Sequence, residues 1–128
     1  KKENTMSKRV LIVDDSSTMR KIVTRSLRQA GLDFDEILEA GDGVDALKLL
    51  ENEKVDIILS DINMPNMDGL EFLRQKAANS AISNIPVVMI TTESGAEIIG
   101  EAKSLGASGN IKKPFTPDQI RETIGNLI

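Results

Sequence analysis

The chain has 128 residues, enough for one compact domain, and its 16 basic and 20 acidic residues give a formal charge of −4. An acidic chain repels phosphate backbones, and three Phe are the only aromatic residues, so neither nucleic-acid binding nor a stacked-ring cofactor is expected. The absence of His and Cys excludes imidazole and thiolate metal sites, Ser-His-Asp triads and disulfides. No apolar run approaches the roughly 18 residues of a membrane span, and no signal-peptide pattern opens the chain, so we expect a cytoplasmic protein.

Five short apolar or β-branched runs alternate with helical patterns. The runs predicted as strands are Arg9–Val13, Glu36–Ala40, Val55–Ser60, Pro86–Thr91 and Gly109–Lys112. The first, third and fourth runs are almost continuously apolar, as strands buried on both faces are, whereas the second is mixed and the fifth is short and polar, which suits sheet edges. We expect residues 1–8 to be a disordered leader or an expression remnant, followed by one domain over residues 9–128.

Apolar residues recur at helical spacing between these runs. The stripes are Met19, Ile22, Val23, Leu27 and Ala30; Ala46, Leu47 and Leu50; Leu70, Leu73 and Ala77; Ile98, Ile99, Ala102 and Leu105; and Ile120, Ile124, Leu127 and Ile128. Gly31 and Gly106 end the first and fourth stripes as C-terminal caps, and Pro117 suits the first turn of the last helix. Strict alternation of strand and helix predicts an α/β fold, a doubly wound five-stranded parallel sheet with helices on both faces.

Acidic, hydroxyl and basic residues stand where the predicted strands end, the edge at which such sheets carry their functional sites. Asp14 and Asp15 follow the first strand, Asp61 the third and Lys113 the fifth, and Thr91 ends the fourth. Each residue alone is explained as a helix cap, a strand end or a loop residue. If the fold brings the three carboxylates together, they repel one another unless a cation joins them, and oxygen ligands favour Mg²⁺.

Five segments of the chain, in the correct order, resemble the receiver domains of two-component response regulators. The segments are Arg9–Val23, Glu39–Leu50, Ile58–Leu73, Val87–Glu93 and Gly106–Thr116. Within that family the chain most resembles the stand-alone chemotaxis regulators of the CheY type. The resemblance implies a flavodoxin-like sheet with strand order 2-1-3-4-5, in which strands one and three are neighbours. It also implies a signalling switch with no enzyme activity beyond its own phosphorylation and dephosphorylation.

The resemblance implies a role for each acidic residue of the site. Asp61 stands at the position of the phosphoacceptor. Asp15, Asp61 and the backbone carbonyl of Asn63 are expected to bind Mg²⁺ directly, and Asp14 chiefly through water.

Two further residues match the family's switch. Thr91 stands at the position of the switch hydroxyl, and Lys113 at that of the family's lysine, which the resemblance places in a cis peptide with Pro114. Asn110 stands where the family commonly has Tyr or Phe, so a rotating ring cannot report the state of the site. The output face therefore responds through backbone shifts or through another side chain.

The resemblance also implies the partners. A histidine kinase donates the phosphoryl group, and the expected target is a flagellar motor switch protein, with a possible phosphatase and a monomeric regulator. A phosphate sink, or a regulator of another enzyme outside motility, is the alternative within the family. An aspartate-nucleophile phosphatase of the haloacid dehalogenase kind would need a second carboxylate where Asn63 stands, and a flavodoxin-like electron carrier would need an aromatic pair around its flavin.

Overall fold

Five parallel strands form a single sheet in the order β2-β1-β3-β4-β5, in a computed structural model that describes residues 8–128. The elements in chain order are β1 (Arg9–Val13), α1 (Ser17–Gln29), β2 (Glu36–Ala40), α2 (Gly43–Leu50), β3 (Ile57–Ser60), α3 (Gly69–Ala77), β4 (Val87–Thr91), α4 (Ala96–Ser104), β5 (Gly109–Lys112) and α5 (Pro117–Ile124). The predicted fold class and strand order are confirmed. The expected leader falls outside the described residues except for Lys8, whose carbonyl accepts a hydrogen bond from the Asp35 N–H at 2.8 Å.

The three central strands are the ones that read as continuously apolar. Every residue of β3 and β4 is buried, and so is every residue of β1 after Arg9, whereas the edge strands β2 and β5 are partly exposed. Two strands begin later than predicted. Asp56 is exposed and pairs through its N–H with the Arg9 carbonyl before β3 begins, and Pro86 has no N–H to donate to a ladder before β4.

The sheet separates two apolar layers. Helices α2, α3 and α4 cover one face, and α1 and α5 cover the other. The first layer contains Leu11, Val13, Ala46, Ile58, Phe72, Val87, Met89 and Ala102, and the second contains Val10, Ile12, Val23, Leu27, Leu59, Ile90, Ile120 and Ile124. Burial of these side chains on both faces stabilises a parallel sheet that could not face water.

Two members of the predicted helical stripes are exposed to solvent. Ile22 is 41% exposed, because Val23 and Leu27 occupy the side of α1 that faces the sheet and Ile22 lies about 100° around the helix from Val23. Ala77 is also exposed, and the buried positions of α3 are Phe72, Leu73 and Lys76. Apolar character alone therefore predicted Ala77 as the last buried position of α3, whereas the buried residue is Lys76, one position earlier.

Helix caps gather at the carboxyl edge of the sheet. Ser16, Asp42, Asp68 and Thr116 precede α1, α2, α3 and α5, and each accepts a hydrogen bond from the N–H three residues on. Among the helices of residues 8–128, only α4 begins without a side-chain cap, after Gly95. Gly31 and Gly106 adopt φ angles of +78° and +107° after α1 and α4, as expected of C-terminal caps.

The longest helix of the described chain has 13 residues, and none of its helices combines the length and apolar character needed to cross a bilayer.

Lys76 is a buried cation away from the carboxyl edge of the sheet. Lys76 lies on the buried face of α3, with 5% of the residue exposed, and its Nζ donates a hydrogen bond to the Ser83 carbonyl at 3.0 Å. Within residues 8–128, no carboxylate oxygen lies within 4.0 Å of this nitrogen. Burial therefore lowers the pKa of the Lys76 ammonium below its ordinary value of 10.5.

We predict that Lys76→Met raises the free energy of unfolding at pH 7 by about 1 kcal/mol, because it removes an unpaired buried charge and keeps a similar length. In the wild type the unfolded chain holds the Lys76 proton to higher pH than the folded chain does. Stability should therefore rise with pH between the lowered folded pKa and 10.5, and the variant should lose that rise. Urea denaturation at a series of pH values measures both effects.

Gln75→Met is the matched control, since Gln75 is exposed and precedes Lys76, and it should change stability by less than about 0.5 kcal/mol. If Lys76→Met instead lowers stability by about 1 kcal/mol or more, the hydrogen bond to Ser83 outweighs the desolvation of the ammonium and the interpretation is wrong.

Candidate functional site

The backbone fixes two carboxylates just beyond the ends of neighbouring strands. The Asp14 N–H donates to the Ala40 carbonyl at 3.1 Å, and the Asp61 N–H donates to the Val13 carbonyl at 2.9 Å. These bonds continue the parallel ladders one residue past β1 and β3. Asp14 and Asp61 are therefore held by the rigid sheet although neither belongs to a strand.

Asp14, Asp15 and Asp61 form an acidic cluster at this edge. One oxygen from each of the three carboxylates lies within 4.8 Å of the other two. Asp14 is buried, Asp61 is half-buried and Asp15 is exposed, so the cluster opens toward solvent on the Asp15 side. Of the six oxygens, Asp14 Oδ1 accepts from the Ser16 N–H at 2.9 Å and Asp61 Oδ1 from the Ile62 N–H at 2.6 Å.

Lys113 joins two members of the acidic cluster. Its Nζ lies 2.9 Å from Asp14 Oδ2 and 3.1 Å from Asp61 Oδ2, with only 10% of the lysine side chain exposed. Burial alone would lower the pKa of this ammonium, but the hydrogen bonds and charges of Asp14 and Asp61 outweigh burial and raise the pKa above 10.5. The lysine is thus a fixed positive charge at physiological pH. Its peptide bond to Pro114 is cis.

The site has an excess of negative charge that suits a divalent cation. Three carboxylates face one ammonium, so two negative charges are not balanced by Lys113. The atoms that could bind a metal are carboxylate oxygens, which Mg²⁺ prefers. The chain lacks His and Cys, so no imidazole or thiolate ligand competes with them. The residues present therefore fit Mg²⁺, the ion that the resemblance to receiver domains implies.

The loop after Asp61 passes close to the cluster because of Gly69. The Gly69 N–H donates to the Ile62 carbonyl at 2.7 Å, and a Cβ on Gly69 would lie 2.8 Å from the Ile62 Cα and closer still to the Asp61 carbonyl oxygen. Only glycine permits this approach. Asn63 lies in this loop, two residues after Asp61, with its side chain exposed, and its carbonyl stays a predicted metal ligand.

Thr91 is fully buried at the end of β4, next to β3 in the sheet. Its Oγ1 accepts a long hydrogen bond, 3.2 Å, from the Glu93 N–H. The hydroxyl proton remains available as a donor, which the switch role assigned from the resemblance requires.

Asn110 lies on the α4 side of β5, opposite Met89 in the register. It borders a cavity of about 230 Å³ together with Ile99, Ala102 and Lys103 of α4. Its Oδ1 is buried and accepts no hydrogen bond from any residue of the described chain. Leaving a buried carbonyl unpaired costs stability. Asn110 therefore destabilises the fold at the position where the family commonly has an aromatic ring.

Two contributors near the site were missed by the sequence analysis. Arg20 donates from Nη1 to the Asp14 carbonyl at 2.6 Å, and Asp42 links α2 to Asn66 of the loop after β3. The Asp-Gly pair before the second apolar stripe is the sequence signal of a helix cap. Nothing in the sequence indicates that Asn66 is its partner.

Comparison with known proteins agrees with this geometry. The family described as response regulator receiver domain matches residues 10–125. A chemotaxis protein CheY homolog of Campylobacter jejuni is 42% identical over 122 residues, which cover 94% of this chain and 92% of that protein. The structure of chemotaxis protein CheY4 of Vibrio cholerae has a TM-score of 0.85 at 36% identity and covers 96% of this chain and 100% of that one. A CheY-like receiver domain protein of Methanospirillum hungatei has a TM-score of 0.81 at 29% identity and covers 94% of this chain and 93% of that one.

These matches extend over nearly the whole chain, and they coincide with an acidic cluster and a lysine at the carboxyl edge of a sheet with the expected strand order. The chain therefore belongs to the response regulator receiver domain family, whose members act as signalling switches, and within that family it is CheY-like.

Proposed function

We propose that this chain is a two-component response regulator that accepts a phosphoryl group on Asp61 from a histidine kinase and thereby changes its affinity for a downstream protein. The observation that supports this best is the placement of the Lys113 ammonium between Asp14 and Asp61, beside a third carboxylate. A positive charge held at an aspartate, beside carboxylates that fit a divalent cation, suits the transfer of a negatively charged group.

The proposed reaction needs no further nucleophile or base. A carboxylate oxygen of Asp61 forms a bond to the phosphorus of a kinase phosphohistidine, and the N–P bond breaks with its electron pair returning to the imidazole nitrogen. The switch is reset when water attacks the same phosphorus and the P–O bond to Asp61 breaks, which restores the Asp61 carboxylate and releases inorganic phosphate and a proton to solvent. Positioning and charge neutralisation are sufficient for both steps.

Asp14, Asp15, Asp61 and the carbonyl of Asn63 would hold Mg²⁺, with Asp14 acting chiefly through water. When bound, the ion neutralises charge on the transferred phosphoryl oxygens. Asp15 is the exposed member of the cluster, so the ion and the donor phosphate can approach from that side.

Phosphorylation would upset the charge balance and recruit Thr91. Replacing the Asp61 carboxylate with an acyl phosphate changes its charge from about −1 to about −2 and adds three acceptor oxygens. Lys113 is already in contact, and the Thr91 hydroxyl still has its own proton to donate, since it only accepts from the Glu93 N–H. Movement of Thr91 toward the phosphate would vacate space on the face of the sheet that Asn110 shares, which couples the site to α4 and β5.

We further propose that the regulated process is chemotaxis, with a flagellar motor switch protein as target and a phosphatase as a possible third partner. The names of two similar proteins, a chemotaxis protein CheY homolog and chemotaxis protein CheY4, support this. We place the protein in the cytoplasm as a monomer. The alternative within the family is a phosphate sink or a regulator of another enzyme.

Phosphoryl analogue binding tests the site. With Mg²⁺ and beryllofluoride, we expect the melting temperature of the wild type to rise by several degrees, since a ligand at about 100 times its Kd stabilises the folded state by about 2.7 kcal/mol. Asp61→Asn should show no rise and should take up no phosphoryl group from a small-molecule donor in mass spectrometry. Asp118→Asn, which changes an exposed carboxylate on α5, is the control and should behave as the wild type.

The proposed function is wrong if, in the presence of Mg²⁺, the wild type shows neither a rise in melting temperature with beryllofluoride nor uptake of a phosphoryl group from a donor.

Lys113→Met separates phosphorylation from output. The variant should still be phosphorylated on Asp61, because the nucleophile is intact. It should bind Mg²⁺ more tightly than the wild type, because a positive charge adjoining the cation site is removed. Its affinity for the target should no longer depend on phosphorylation. Calorimetry with Mg²⁺ and target binding with and without beryllofluoride measure these effects, and Lys112→Met at the exposed neighbouring position is the control.

Target binding also separates the two alternatives. A chemotaxis regulator activated with beryllofluoride should bind the flagellar motor switch protein of the same organism at least about tenfold more tightly than the unactivated protein. Equal affinity of both forms would favour the phosphate sink.

A further inference from the structure

Asp42 is a buried acidic residue outside the acidic cluster. It follows β2 at the same carboxyl edge of the sheet, and 7% of the residue is exposed. The proposed chemistry does not use it. Its two oxygens have different partners: Oδ1 accepts from the Asp45 N–H at 2.9 Å, and Oδ2 accepts from Nδ2 of Asn66 at 2.7 Å.

The first of these bonds is an ordinary helix cap, and the second is not. Ser16, Asp68 and Thr116 cap their helices from exposed positions. Asp42 alone of these four capping residues is buried and also bonds a side chain from another element, 24 residues along the chain. Capping of α2 therefore explains Oδ1 but leaves the contact of Oδ2 with Asn66 unexplained.

Asn66 belongs to the loop of residues 62–69, which leads from Asp61 to α3. It has a left-handed backbone, with φ at +65°, a conformation that Asn adopts more readily than most residues. Next to it, the Met67 carbonyl accepts from the Gly43 N–H at 3.0 Å. A Cβ on Gly43 would lie 2.7 Å from the Met67 Cγ, so the start of α2 and the loop are packed as closely as glycine allows.

The loop is thus attached at two places. The bond from the Gly69 N–H to the Ile62 carbonyl closes its base, and the contacts of Asn66 and Met67 with α2 fix its far side. Asn63 lies between these attachments. Because both sides of the loop are held, the direction of the Asn63 carbonyl is set by α2 as well as by β3.

The carboxylate form of Asp42 is the one that holds Asn66. The hydrogen bond from Asn66, and next the N–H of Asp45, lower the pKa of Asp42 below its ordinary 3.8. The link is therefore a charge-assisted hydrogen bond at neutral pH, stronger than a contact between two neutral groups.

We propose that Asp42 and Asn66 are positioning residues for the metal site: they hold the 62–69 loop against α2 so that the Asn63 carbonyl faces the Asp14, Asp15 and Asp61 cluster. This inference rests on the proposed function, since it assigns to two residues outside the cluster a part in the affinity for Mg²⁺.

Two charge-exchanging substitutions and their combination test the proposal by titration calorimetry of the purified chain with Mg²⁺. Asp42→Asn keeps an oxygen for the cap but places an amide against the Asn66 amide, and Asn66→Asp places a carboxylate against the Asp42 carboxylate. Each should weaken Mg²⁺ binding about tenfold, as loss of an outer-shell support does. The double variant restores a carboxylate–amide pair in the opposite order and should return to within about twofold of the wild type.

The behaviour of Asn66→Asp separates positioning from simple charge. If only total charge mattered, an added carboxylate near the site would tighten Mg²⁺ binding, whereas the proposal requires weaker binding. Asp45→Asn removes a charge from the exposed first turn of α2 and should change the Mg²⁺ affinity by less than about twofold. Thr116→Ala removes the cap of α5, which contacts neither Asp42 nor Asn66, and should lower stability but change the Mg²⁺ affinity by less than about twofold.

Amide hydrogen exchange gives a readout that does not depend on the ion. Without Mg²⁺, both single variants should exchange the Gly43 amide faster than the wild type, and the double variant should regain protection. Unchanged or tighter Mg²⁺ binding by Asn66→Asp, or binding by Asp42→Asn within about twofold of a wild type that binds the ion, would overturn this inference and leave the proposed function intact. A wild type that binds no Mg²⁺ would overturn both.

Discussion

Repulsion among three carboxylates at one edge of the sheet is the constraint on which the rest of the site depends. Asp14 and Asp61 are fixed by backbone bonds that extend the ladders of β1 and β3, so they cannot separate without disrupting the most buried strands of the fold. Lys113 relieves part of this repulsion and is itself kept charged by it. The negative charge that Lys113 does not balance suits a divalent cation.

The parallel sheet is the reason that these residues meet at all. Asp14, Asp61, Thr91 and Lys113 come from four different strand ends, separated by as many as 99 residues along the chain. Parallel strands place all of their carboxyl ends at one edge, and the order β2-β1-β3-β4-β5 puts the strands of Asp14, Asp61 and Thr91 side by side. The two apolar layers pack against this sheet from both faces.

The sequence predicts those features that depend on long buried runs and on strand ends, and it fails where a helix can rotate or a loop can fold back. The strand of Val87–Thr91 could be read because every position is apolar or ends the run. The exposure of Ile22 and the burial of Lys76 could not be predicted in this way. The face of a helix that meets the sheet is decided by packing with residues distant in sequence. The partnership of Asp42 with Asn66 was missed for the same reason: a cap is local and readable, but its second oxygen meets a loop 24 residues away.

The two sides of the site differ in how firmly they are held, and this asymmetry is what a switch needs. On the α2 side, the loop after Asp61 is fixed by Asp42, by the Gly43 N–H and by the close approach of Gly69. On the β4 side, the Thr91 hydroxyl has only a long contact with Glu93, α4 begins without a side-chain cap, and the Asn110 oxygen is buried without a donor. A charge added between these two sides displaces the β4 side more easily than the α2 side, because fewer hydrogen bonds are lost there. Under the proposed function, a signal from Asp61 would therefore pass toward α4 and β5, where these polar contacts are weaker.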